Sequence, residues 1–129
     1  MIAGTVSDRP RLHYIDECRN RGSERGTVLC LHGEIAWSLA YRDVIPGLVN
    51  AGYRVIAPDL IGFGKSDKFV DVENYTHEMH TASIKQLIVE LGIDELSNLT
   101  LVAHGSGGIV GLSVLKAGTF SIYAFFTLV

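Results

Sequence analysis

Residues 99–111, L-T-L-V-A-H-G-S-G-G-I-V-G, hold the densest arrangement of chemistry-bearing types in the chain. An apolar run reads as a buried strand, a glycine-rich turn follows, and an apolar stretch can start a helix. A strand, tight turn and helix in that order can hold a reacting side chain at the turn, in a sparsely populated backbone conformation. Small residues two places before and two places after such an apex let strand and helix approach. If the apex is residue 105, those flanks are Ala103 and Gly107, which fit. If it is Ser106, they are His104 and Gly108, and His104 is large for its place. The first frame is preferred, and it puts Gly105, a residue with nothing to attack with, at the apex. In the second frame Ser106 is a nucleophile. His104 is then a conceivable base, discounted because neighbours at a tight turn usually point apart.

Two further loops follow apolar strands in the same way: His32-Gly33-Glu34 after the run 27–31, and residues 58–66, P-D-L-I-G-F-G-K-S, after the run 53–57. In an open parallel sheet, loops that leave strands at their carboxyl ends gather along one edge, where such folds bind ligands. Glu34 could act as a base through water, although its backbone N–H suffices as its role. Asp59 is expected to accept backbone N–H groups and fix its own turn. Trp37 is expected to pack as core beneath the His-Gly loop. His13, His77 and His80 read as surface or partly buried histidines. His77 and His80 stand three apart on a helix, which suits a metal, but no third ligand is evident and no metal is expected.

The elements that must position these loops follow from periodicity. Residues 11–17, R-L-H-Y-I-D-E, alternate as a strand with Leu12, Tyr14 and Asp16 on one face, and 19–26 is a loop or hairpin. Residues 27–31, 53–57 and 99–103 are continuous apolar strands, as expected where both sheet faces are covered. Helices are predicted over 37–50, bent near Pro46 and stopped by Gly52, and from Thr76 as N-cap to a stop at Gly92. The second helix carries Met79, Ser83, Leu87, Ile88 and Leu91 at helical spacing, a third helix spans 109–115, and 120–129 reads as a last strand. Strands alternating with helices predict a mostly parallel, doubly wound α/β sheet in one domain, residues 1–129. Within it, the strands 27–31, 53–57 and 99–103 are expected to be neighbours, with His32 within about 15 Å of Gly105.

L-H-G-E-I-A-W-S, then R-V-I-A-P-D-L-I-G-F-G-K-S-D-K, then L-T-L-V-A-H-G-S-G-G resemble the haloalkane dehalogenase branch of the α/β-hydrolases. R-L-H-Y-I-D-E and Y-R-D-V-I-P fit the same branch, so the resemblance runs over residues 11–115. The central stretch is its most specific part. The resemblance implies hydrolytic cleavage of a carbon–halogen bond without a cofactor. A carboxylate at the turn displaces halide and forms an alkyl-enzyme ester, and a histidine oriented by an acid activates water to hydrolyse it. It further implies an oxyanion held by two backbone N–H groups, here those of Glu34 and Ser106, and a tryptophan beside the nucleophile that holds the halide. This chain departs from that pattern. Gly105 occupies the aspartate position and Ser106 the tryptophan position, and Ile35 and Ala36 replace the proline and threonine usual after His-Gly-Glu. The helical cap, the acid and the catalytic histidine would lie beyond Val129. The expectation is a truncated, catalytically incomplete relative lacking the cap domain. The alternatives are an esterase-type serine hydrolase using Ser106 and a non-catalytic interaction module.

Composition agrees with one ordinary domain: 129 residues, 47% of them hydrophobic, with a net charge of −3. There is no basic stretch or aromatic-basic interleaving, so nucleic acid is not an expected partner. The resemblance implies a small organic molecule as substrate. Cys18 and Cys30 form neither a CxxC nor a metal spacing, and Cys30 is expected to be a buried free thiol in a reducing compartment. The N-terminus has neither a charged region nor a long apolar core of the secretory type, so a cytoplasmic location is expected. Residues 109–129 approach the length of a membrane span, but a central Lys116 costs about 2.5–3.5 kcal/mol on insertion, so a buried helix and strand are expected instead.

Phe120, Ile122, Tyr123, Phe125, Phe126, Leu128 and Val129 form a segment without charge or proline. Placed at a sheet edge, such a segment is a template for pairing with another chain. The isolated protein is therefore expected to self-associate, and deleting residues 119–129 should lessen it. A stable monomer in sedimentation at tens of micromolar, with no binding of a hydrophobic dye, would contradict this.

Overall fold

The computed structural model describes residues 10–34, 36–93 and 98–116. Four strands form one sheet: β1 (Tyr14–Glu17), β2 (Thr27–Leu31), β3 (Arg54–Pro58) and β4 (Leu99–Ala103), in the order β1-β3-β2-β4. β2 runs parallel to both β3 and β4, while β1 runs antiparallel to β3. The three apolar runs are thus neighbours, as their composition predicts. β2 pairs along its whole length with β4, from Thr27 opposite Leu99 to Leu31 opposite Ala103, so the loops after both strands leave at one level.

The alternation of side chains across the sheet divides the core in two. Leu29, Leu31, Ile56, Leu99 and Leu101 face α2 (His77–Glu90) and α3 (Ser106–Lys116). Val28, Cys30, Val55 and Ala57 face Tyr41, Ile45 and the short helix α1 (Ile45–Asn50). Every residue of β2 is buried because both of its faces are covered. β4 instead alternates between buried and half-buried residues, since Thr100 and Val102 lie on the thinner side.

Several boundaries differ from the sequence expectation, each for a local reason. The predicted helix 37–50 is a 3-10 turn, Ser38–Tyr41, followed by α1. Pro46 stands in the first turn of α1, where its missing N–H would have no helical partner. β1 starts at Tyr14 rather than residue 11, because the backbone of Arg11 and His13 bonds to the loop at Asp59, Ser66 and Asp67. α3 starts at Ser106, three residues earlier than its apolar run suggests. β3 runs Arg54–Pro58, one residue later than expected.

Thr76 caps α2 as predicted, its hydroxyl accepting from the Met79 N–H at 3.0 Å, a contact worth about 1 kcal/mol. α1 and α2 end alike. The N–H groups of Gly52 and Tyr53 bond to Val49 and Leu48, and those of Gly92 and Ile93 bond to Val89 and Ile88. Both pairs are the hydrogen bonds of a Schellman motif. At the end of the sheet remote from the loops, Arg54 grips the Asp16 carboxylate with Nε at 2.9 Å and Nη2 at 2.8 Å. This bidentate bond from Arg54, aided by Arg21, holds the Asp16 carboxyl below its usual range despite burial. The strand expected over 120–129 lies outside the described residues.

The buried centre of α2 is Ile84, with Leu87 and Ile88, rather than the Met79–Ser83 side. Ile84 is fully buried in the α2–α3 core, whereas Val89 on the opposite face is largely exposed. Ile84→Ala should therefore cost about 2–5 kcal/mol in urea unfolding, and Val89→Ala less than about 0.5 kcal/mol. Equal costs would contradict this packing.

Candidate functional site

The loops after β2, β3 and β4 meet at the carboxyl edge of the sheet. The His104 N–H bonds to the Leu31 carbonyl at 3.0 Å and extends the β2–β4 ladder by one residue. Gly105 follows with φ +56°, in the left-handed region that disfavours side chains, and α3 starts at the next residue. Among the described residues, a Cβ on Gly105 would meet only the Gly33 Cα, at 3.7 Å, so the His-Gly loop and the 105 turn touch. The expected proximity of His32 and Gly105 is met with a wide margin.

The turn is tight on its other side. A Cβ on Gly107 would lie 2.5 Å from the His32 carbonyl oxygen and 2.6 Å from that of Leu31. Residue 107 must be small because the first turn of α3 rests on the end of β2. Ala103, two residues before Gly105, is buried in the sheet. The left-handed residue, the small residue before it and the small residue after it are thus 105, 103 and 107. Ser106 is half-buried as the first residue of α3.

His32 is fully buried, and both of its ring nitrogens are engaged. Nε2 accepts the Leu60 N–H at 2.9 Å, so Nδ1 carries the proton and donates to the Gly33 carbonyl at 2.7 Å. Burial holds its pKa below the ordinary histidine value. A neutral imidazole with no free nitrogen is a strut between two loops, and Phe63 packs edge-on against it at 5.2 Å.

Asp59 does what its position predicts. One carboxylate oxygen accepts the Ser38 N–H at 2.7 Å, and the other accepts the Lys65 N–H at 3.0 Å and His13 Nδ1 at 2.9 Å. Burial pushes this carboxyl up, but the bonds from Lys65, Ser38 and His13 outweigh it and hold the pKa below the usual value. The sign follows: Asp59 contributes stability above the unfolded carboxylate pKa, about 3.9, and that contribution is lost as pH falls through the lower folded value. Its own carbonyl accepts from Ser66 Oγ at 2.5 Å.

An open cleft of about 620 Å³ lies over these loops, lined by Glu34, Ala36, Trp37, Gly62, Phe63, Gly64 and Lys65. Trp37 borders this cleft beside Gly64, half-buried rather than core. Glu34 is exposed. His104, also exposed, lies over Gly33, whose Cβ would come 2.6 Å from its Nδ1. Cys30 is a buried free thiol whose pKa burial pushes up to about 12. Sequence reasoning did not single out His32 as a strut. A histidine followed by glycine at the end of a wholly apolar strand was the available signal. Among the described residues no three His, Cys, Asp or Glu side chains cluster as metal ligands. No helix among them is long and apolar enough to cross a membrane.

Residues 26–116 match the α/β hydrolase fold family model. The chain belongs to that family. Its sequence is 42% identical over 113 residues to a haloalkane dehalogenase of Mycobacterium marinum, covering 88% of this chain and 36% of that one. It is 39% identical to the Psychrobacter cryohalolentis haloalkane dehalogenase, covering 89% and 36%. Among solved structures, it superposes on the haloalkane dehalogenase of Paraglaciecola agarilytica, described as tetrameric, with a TM-score of 0.78 at 43% identity, covering 87% and 36%. An epoxide hydrolase of Vigna radiata gives a TM-score of 0.77 at 30% identity, covering 92% and 34%. The hydrolase chain thus spans about a third of the length of the curated relatives it matches.

The two glycines of the turn predict losses of different size and cause. Among the described residues Gly105→Ala meets ordinary contact only, so its cost is the left-handed backbone, about 1–2 kcal/mol. Gly107→Ala gains about 1 kcal/mol of helix propensity but drives a methyl group into two carbonyl oxygens, and should lose about 3 kcal/mol or more. Urea midpoints of the two variants check this. A Gly107→Ala variant as stable as the parent would contradict the close approach.

Proposed function

We propose that this chain is a haloalkane dehalogenase-like α/β-hydrolase portion in which the nucleophile position, Gly105, is empty and the family reaction is not performed. The observation that carries the reading is the conformation at 105: a left-handed turn residue between a buried strand and a helix, with space for a side chain among the described residues but none present. The backbone N–H groups of Glu34 and Ser106 keep the place of oxyanion donors beside that position. Without a carboxylate no alkyl-enzyme ester forms, and Ser106 supplies no indole for the leaving halide. Losing the nucleophile alone costs orders of magnitude in rate. Small organic molecules remain the class that the cleft beside Trp37 and Phe63 suits.

A second reading uses Ser106 as an esterase nucleophile. What favours it is its location directly after the turn, half-buried and followed by two glycines. Against it, Ser106 is a regular helical residue, and His104 is exposed over Gly33. A non-catalytic interaction module is the third reading, compatible with the same empty turn.

Purified protein should release no halide from short haloalkanes above the buffer rate. Halide release that Glu34→Ala or Ser106→Ala abolishes would overturn the proposal. Hydrolysis of a p-nitrophenyl ester lost in Ser106→Ala would establish the esterase reading instead.

A further inference from the structure

His77 and His80 occupy the first turn of α2, where that helix meets α3. His77 Nε2 is hydrogen-bonded to Ser113 Oγ of α3 at 2.8 Å, with Thr81 Oγ1 at 3.4 Å. Three residues on, His80 Nδ1 is buried and, among the described residues, has no hydrogen-bond partner. His80 lies between His77 on its own helix and His32 at the end of β2, and a positive charge on either opposes one on His80. α3 offers no counter-charge, since Ser106 to Leu115 contains no ionisable side chain. Phe63, the loop residue packed on His32, offers none either. Glu78, the carboxylate nearest in sequence, is exposed on α2. The positive end of the α2 dipole also disfavours a cation there.

We propose that His80 makes the docking of α2 against α3 acid-labile: the buried Nδ1 of this half-buried ring has no acceptor for a proton, so α2 and α3 separate on acidification. α3 starts at the residue after Gly105, so its release also loosens the turn and the contact with Gly33. The proposal does not depend on which chemistry the turn performs. Burial, with His32 and His77, holds the His80 pKa below the ordinary value. The sign is then fixed. The unfolded chain takes the proton first, so the stabilisation is complete above the unfolded histidine pKa of about 6.5 and is lost as pH falls below it.

The experiment is hydrogen exchange on the full chain at pH 7.5 and 5.5, corrected for intrinsic rates, for the parent and His80→Gln. One excluded proton predicts that protection of α2 and α3 amides falls up to about tenfold in the parent and little in His80→Gln, with β2 and β3 amides less affected. An equal fall in both proteins, or a fall no larger in α2 and α3 than in the sheet, overturns the proposal. Should His80→Gln not fold, NMR titration of the parent imidazoles decides. A His80 midpoint clearly below that of an exposed histidine upholds the proposal, and an ordinary midpoint refutes it.

Discussion

The Leu31 carbonyl is where the architecture converges. It accepts the His104 N–H at 3.0 Å and the Tyr41 hydroxyl at 2.8 Å, and it sits 2.6 Å from where a Cβ on Gly107 would be. One oxygen at the end of β2 thus fastens β4 and the 3-10 turn before α1, and sets how close α3 can come. Both lone pairs are used, as expected of a buried carbonyl. Any side chain at 107 would lift α3 off the sheet and with it the turn at 105. The position of the whole carboxyl edge therefore depends on a backbone-to-backbone approach.

Around that point the loops are held by polar groups that elsewhere in the hydrolase fold family could be mistaken for chemistry. Asp59 and His32 are fully buried, yet every bond each one makes is spent on structure. A buried polar group is stable only when its donors and acceptors are met, and these two are met by backbone groups of their own and other loops and, for Asp59, by the His13 ring. A rigid edge results, and catalytic sites need rigid edges because a reacting atom must be held to fractions of an ångström. The likeness to haloalkane dehalogenases and epoxide hydrolases extends over this edge.

The two faces of the sheet are unequal in kind. The side bearing α2 and α3 is a continuous aliphatic core from Leu29 to Val114. The other side rests on Tyr41, Ile45 and the short α1. The histidines follow the same division. His32 and His80 lie where α2 and α3 approach the end of β2, while His13 sits on the β1 side holding Asp59. Buried neutral imidazoles near one another are tolerated at neutral pH and become costly once one is protonated.

Much of this was legible from residue order. Continuous apolar runs at 27–31, 53–57 and 99–103 require burial on both faces, and that requirement implies helices on both sides and loops at one edge. Thr76 and Gly92 marked the ends of α2 because capping is local chemistry. Residue order also displayed the small residues Ala103 and Gly107 on either side of Gly105, which has the left-handed backbone. What tertiary structure decided were contacts between segments distant in sequence. That Trp37 borders a cleft instead of filling the core, that Ile84 centres the α2 face, and that His32 is a strut all depend on which surfaces meet. The helix expected over 37–50 broke into a 3-10 turn and α1 because Tyr41 must reach the Leu31 carbonyl while Ile45 enters the core. Periodicity reports which residues prefer burial. Only the assembled sheet determines what they are buried against.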